Sequence, residues 1–209
     1  MAIFLLERKK TLNILNCTEI FGLTKSGKTT YLRQRVKKGE QVLFVEKGKF
    51  FSKVVNFLKY ASKNPTNVLY LFFRLNSNWI YLKELTLKDY LVIWKMRNYY
   101  LAAVLSKYEK LKWSKENYFV DEFLLQSLFM IFQVKSSEEN IKKIISRIPK
   151  SKNVLIIEAP PKIRYSRISN VKNPATKLSS EYKLKWVKNS EYNYETIKKI
   201  LLEEYRQIK

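Results

Sequence analysis

A chain of 209 residues is long enough for one sizeable core, and 46% hydrophobic and 28% charged residues with only 4 Gly and 5 Pro exclude a disordered or low-complexity chain. The absence of histidine excludes imidazole catalysis and His-based metal sites, while a single cysteine, Cys17, excludes an intramolecular disulfide and fits a reducing, cytoplasmic setting. Lys and Arg number 41 against 18 Asp and Glu; this net charge of +23 attracts polyanions, but it is spread in doublets such as Lys37-Lys38 and Lys142-Lys143.

Met1 to Asn16 is a mixed lead-in, read as an edge strand or short hairpin. Its first apolar residues are too few for a signal peptide, and no apolar run approaches the ~18 residues of a membrane span. Thr18 to Phe21 reads as a buried strand. It enters Gly22-Leu23-Thr24-Lys25-Ser26-Gly27-Lys28-Thr29, which fills the G-x-x-x-x-G-K-[ST] pattern of a phosphate-binding loop. The spacing has a physical cause: a triphosphate must be wrapped by backbone N–H groups, and Gly22 and Gly27 leave the room. Lys25 and Ser26 lie in the turn, Lys28 brings a point charge to the terminal phosphates, and the Thr29 hydroxyl is a ligand for Mg²⁺. Thr29 to Val36 reads as the helix leaving the loop, so that Thr30 joins an N-terminus already suited to anions.

Lys37-Lys38-Gly39-Glu40 is a turn, and Gln41 to Glu46 is an apolar run typical of a central parallel strand, followed by Glu46, Lys47 and Lys49 at its carboxyl end. From Phe50 to Trp113 the period is helical. Asn64-Pro65-Thr66 breaks the run, Val68 to Arg74 is ambiguous between strand and buried helix, and Leu85 to Tyr108 reads as a long helix. Arg74 and Arg97 stand in this region as surface residues or anion ligands.

Tyr118-Phe119-Val120-Asp121-Glu122 is an apolar strand ending in two carboxylates. Downstream of a phosphate loop, Asp121 is placed to orient the Mg²⁺ shell beside Thr29, and Glu122 to contact substrate or polarise an attacking water. Leu124 to Val134 reads as a helix, and Ser136-Ser137-Glu138-Glu139 opens another in capping style. Asn153 to Glu158 is the next buried strand, stopped by Ala159-Pro160-Pro161. Arg164 and Arg167 follow, then a polar flap from Ser169 to Glu181. Lys183 to Val187 reads as a final strand, and Tyr194 to Ile208 as an amphipathic terminal helix.

The phosphate loop, the strand ending in Asp121-Glu122, and Ile156-Ile157-Glu158-Ala159-Pro160-Pro161 with Arg167 beyond it together resemble the nucleoside monophosphate kinase superfamily, thymidylate kinase-like branch. Asp121-Glu122-Phe123-Leu124-Leu125-Gln126 is similar to its DEG-type stretch, with Phe123 in place of a small residue. The resemblance implies an α/β, three-layer P-loop NTPase fold whose central, mostly parallel sheet is flanked by helices. It implies one domain over 1–209, with a helical insertion at 50–113 and a lid-like segment at 164–182. It further implies ATP and Mg²⁺ as cofactors, Arg167 as a lid arginine on the transferred phosphoryl group, Arg164 as its neighbour, and Glu122 near the acceptor. The lid carries Lys172 and Lys177 instead of a dense arginine set, and no Asp-Arg pair follows the second strand to identify the acceptor.

Two functions stay open. One is an ATP-dependent kinase of a nucleotide or other small molecule, in which Lys28 and Arg167 balance developing charge. The other is an ATPase or nucleotide switch acting on nucleic acid, with Glu122 activating water and the basic surface holding the polyanion.

Overall fold

Side chains alternate between two faces along the strands Ile14–Phe21 (β2) and Lys150–Glu158 (β5), and these two lie side by side at the centre of a sheet. The computed structural model describes residues 2–8, 14–23, 26–43, 50–76, 86–112, 117–121, 124–126, 135–163 and 180–208. Within them the remaining strands are Ala2–Arg8 (β1), Val42–Leu43 (β3), Tyr118–Val120 (β4) and Tyr205–Ile208 (β6), and the sheet order is β3-β4-β2-β5-β1-β6. β3, β4, β2 and β5 are parallel neighbour to neighbour, whereas β1 is antiparallel to both β5 and β6. The sheet is therefore mixed, with β1 alone reversed.

The helices are Lys28–Lys37 (α1), Phe50–Lys63 (α2), Pro65–Asn76 (α3), Leu87–Lys112 (α4), Glu138–Arg147 (α5) and Ser180–Glu204 (α6). Ile20, Leu155 and Ile157 meet Tyr31 and Leu32 of α1 in one apolar cluster. On the opposite face Cys17, Phe21, Val120, Val154 and Ile156 join side chains of α2 to α6 in the larger core. Helices thus cover both faces, as a buried parallel sheet requires. Among the described residues no helix is long and apolar enough to cross a membrane.

Local chemistry accounts for several boundaries. Pro65 opens α3, where its missing N–H costs nothing, so the break at Asn64-Pro65-Thr66 separates two helices and Val68 to Arg74 is helical. The Ser137 side chain accepts the Asn140 N–H at 3.3 Å and caps α5, while Glu138 and Glu139 complement the positive end of its dipole.

Four expectations are corrected. β1 is an interior strand between β5 and β6, not an edge. Conversely, the apolar run from Gln41 begins an edge strand: among the described residues Val42 and Leu43 pair with β4 alone, and Val42 packs against the α1 cluster. Residues 44–49, with Glu46, Lys47 and Lys49, lie outside the described residues. Lys183 to Val187 falls within α6, because five alternating residues fit a strand period as well as part of a helix. Finally, the terminal helix stops at Glu204. Tyr205 to Ile208 pairs with β1, held by Arg206 to Glu7 and by the Tyr205 hydroxyl donating to the Ser151 carbonyl at 3.0 Å. Of the helix expected from Leu124 to Val134, residues 124–126 are helical and 127–134 lie outside the described residues.

Candidate functional site

Because β4, β2 and β5 are parallel neighbours, their carboxyl ends gather at one edge of the sheet, and the chain leaves β2 there through Gly22. Gly22 is pressed against the end of β5. A Cβ at this position would sit 2.3 Å from the Ile157 carbonyl oxygen and 3.0 Å from Ser26 Oγ, so only glycine lets the loop close on the strand. Gly27 has φ 103°, in the left-handed region, and serves as the N-cap of α1 without a side-chain cap bond. The first turn of α1 therefore presents its N–H groups, with the positive end of the helix dipole, to the loop.

Lys28 is the first residue of that helix. Its ammonium folds back across the loop and donates to the carbonyl oxygens of Gly22 at 2.7 Å and Leu23 at 2.8 Å. Thr29 and Thr30 are exposed on the same turn. Ser26 is only 1% exposed, yet its hydroxyl has no hydrogen-bond partner among the described residues and borders a cleft. An orphaned buried hydroxyl beside a cavity is suited to a polar ligand.

Asp121 follows β4 directly. It is 7% exposed, and the register that sets Val120 opposite Glu19 places it beside the end of β2. Lys107 of α4 donates to the Asp121 carbonyl oxygen at 2.7 Å, which ties this turn to the helical layer. The structure thus gathers Gly22, Ser26, Gly27, Lys28, Thr29 and Thr30 in one loop and sets Asp121 one strand away. Lys25, Glu122, Arg164 and Arg167 lie outside the described residues. Arg74 and Arg97 stand in α3 and α4.

The cleft of about 730 Å³ opens on the β5 side of the loop, between Leu23 and Ser26, the segment Ala159-Pro160-Pro161, the start of β1, and α6. Glu158 lines it and accepts bonds from the Tyr194 hydroxyl and the Lys198 ammonium, each at 2.7 Å. Burial alone would raise the Glu158 carboxyl, but these donors outweigh it and hold the group below the usual carboxylate range. The Tyr194 ring stacks on Phe21 of β2 with centroids 5.2 Å apart, fixing α6 over the sheet. Mostly apolar walls with a few fixed polar groups are the kind of lining that suits a small molecule. Its two walls come from opposite ends of the chain, which no local pattern reveals.

Sequence reasoning also passed over Glu19, in the interior of β2 and 1% exposed. Its carboxylate accepts the backbone N–H groups of Leu125 and Gln126 and, at 3.2 Å, the Ser151 hydroxyl. Gln126 Oε1 in turn accepts the Gly22 N–H at 3.3 Å. The available signal was a charged residue inside an otherwise apolar strand, because buried polar groups are the informative exceptions. Burial pushes the Glu19 carboxyl up to about 7, even though the two amides, Ser151 and the Lys107 charge pull it back.

That shift has a definite sign. A carboxyl raised in the folded state stabilises fully below its ordinary value of 4.5 and loses that contribution as pH rises through about 7. Glu19→Gln, which cannot ionise, is therefore expected to gain stability relative to the parent at pH 8, on the order of 2 kcal/mol, and much less at pH 4. Denaturant unfolding at the two pH values checks this; a difference that does not change with pH contradicts it.

No protein-family model matches this sequence, and neither a curated protein nor a solved structure does.

Proposed function

We propose that the chain is an ATP-dependent phosphotransferase of the thymidylate kinase-like kind, moving the γ-phosphate of ATP to a nucleotide or another small acceptor. The observation that carries this reading is the filled phosphate-loop pattern from Gly22 to Thr29 in a strand, loop and helix setting, with the acid-ended β4 beside it. The phosphates lie over the N-terminus of α1. There Lys28 exchanges the Gly22 and Leu23 carbonyls for phosphate oxygens, a stronger, charge-assisted pairing.

The hydroxyl of Thr29 and the carboxylate of Asp121 fit Mg²⁺, which favours oxygen ligands and leaves positions for phosphate and water. Bound there, the ion offsets charge on the phosphate oxygens. Ser26, Lys25 and Thr30 complete the cradle, and Ser26 gains the partner it lacks. The base and ribose extend into the cleft on the β5 side. Asp121 stands across the loop on the β4 side, so the acceptor approaches from there, near Glu122. The resemblance assigns Arg167, with Arg164, to closing the lid at 164–182 over the phosphates.

A cytoplasmic location agrees with the one thiol: Cys17 is buried, and burial above all pushes it up to about 12, which leaves it chemically inert at neutral pH. The charge of +23 favours the second reading, an ATPase acting with nucleic acid. That reading demands stimulation by nucleic acid and a steep loss of it with salt.

Placement of the nucleotide is tested by Ala159→Trp, which fills the cleft from the loop after β5. ATP affinity is expected to fall by about tenfold or more with the circular dichroism spectrum unchanged. Undiminished affinity in titration calorimetry places the nucleotide elsewhere.

A further inference from the structure

We propose that Glu19 is a positioning residue that, through Gln126, couples the first amide of the phosphate loop to the acid-bearing turn after β4. The catalytic consequence rests on the phosphotransfer reading above; the coupling itself does not.

The geometry forms a closed circuit. Glu19 lies on β2, on the same face as Cys17 and Phe21, toward the larger core. Its Oε1 takes two consecutive amides, those of Leu125 and Gln126, within the helical residues 124–126, and Oε2 takes the Ser151 hydroxyl of β5. A side chain from a distant strand thereby satisfies two amides of this turn. The Gln126 side chain then returns to the Gly22 N–H, three residues after Glu19. Any shift of the Gly22 amide toward an anion must loosen Gln126. Asp121 stands only a few residues before that same turn.

The fold alone has little use for this arrangement. A fully buried carboxylate is costly when ionised, and a neutral oxygen would cap the turn with less penalty. Ionised, it is the stronger acceptor for paired amides and holds the turn more rigidly. Around it stand Cys17 on β2, Lys107 of α4, Lys150 of β5 and Tyr205 of β6; Lys107 partly offsets the Glu19 charge and also binds the Asp121 carbonyl. Stability is given up here where, among the described residues, Gln126 joins the loop to the turn after β4.

Amide hydrogen exchange followed by NMR in Glu19→Gln tests the coupling without relying on turnover. Exchange at Leu125, Gln126 and Gly22 is expected to quicken together by about tenfold or more, with no quickening at the other β2 amides. Gly22 donates to Gln126, so unchanged exchange at Gly22 while Leu125 loosens overturns the proposal. Gln126→Leu supplies the converse: Gly22 loosens and Leu125 stays protected, and loss at both sites contradicts the direction of the circuit.

Kinetics add a readout that a purely structural role would not move. With magnesium-ATP, Glu19→Gln is expected to lower kcat by about tenfold with ATP affinity nearly unchanged, and to remove the parent's loss of rate as pH falls below about 7. A variant whose kcat and pH profile match the parent's overturns the positioning role. A parent that turns over no ATP sinks the phosphotransfer reading instead, and the exchange rates still decide the coupling.

Discussion

Lys28→Ala is expected to reduce magnesium-ATP turnover by about 10³-fold while leaving the fold in place. Lys28 is the first residue of α1, its side chain is buried, and it spans the loop to two carbonyl oxygens. Removing it leaves those carbonyls to other donors at a cost of about 1–2 kcal/mol, too little to unfold the domain. In phosphoryl transfer the same group faces charge that grows on the leaving and transferred oxygens, and no other described cation is placed in the loop to replace it. Lys28→Arg is not expected to restore activity, because a planar, branched guanidinium does not substitute for a compact point charge in a confined turn. Steady-state turnover alongside circular dichroism separates the two effects, and retained turnover in Lys28→Ala ends the phosphotransferase reading.

Gly22→Ala is expected to act on the fold itself. Its new methyl group would lie 2.3 Å from the Ile157 carbonyl oxygen, a backbone atom of the central strand β5 that cannot swing aside. Either the loop lifts off the sheet or the two central strands separate, and overpacking of this kind costs about 3 kcal/mol. Lifting the loop also breaks the Gly22 N–H bond to Gln126 and moves the carbonyl that holds Lys28. Stability by denaturant titration and ATP affinity should therefore fall together, whereas Lys28→Ala loses turnover with little loss of stability. A Gly22→Ala protein with parental stability would mean that the loop does not press on β5 as described.

These two substitutions fall on residues that the sequence already singles out, and the reason is local. Gly22 occupies a site with no room for a Cβ and Gly27 a left-handed conformation that favours glycine, and their spacing records the turn directly. The Ser137 cap, the Asp121 strand end and the Pro65 helix start are equally short-range signals. What stayed hidden depends on partners distant in sequence. Whether the run from Gln41 is central or at an edge is decided by which strands flank it, and among the described residues β4 is its one neighbour. Lys183 to Val187 alternates like a strand but continues a helix that begins at Ser180. Glu19 looks like an interruption in β2 until Leu125 and Gln126, more than a hundred residues on, close over it. The cleft draws on Ala2 as well as Lys198, which is a property of the β1, β5 and α6 packing and of no single segment.

The most direct test of the central claim follows the γ-phosphate of labelled ATP with Mg²⁺ across a panel of nucleoside monophosphates, nucleosides and sugars, with and without DNA or RNA. Label is expected on a small acceptor, with no requirement for nucleic acid. Label released only as free phosphate, and faster with DNA or RNA, would contradict phosphotransfer to a small molecule and make water the acceptor.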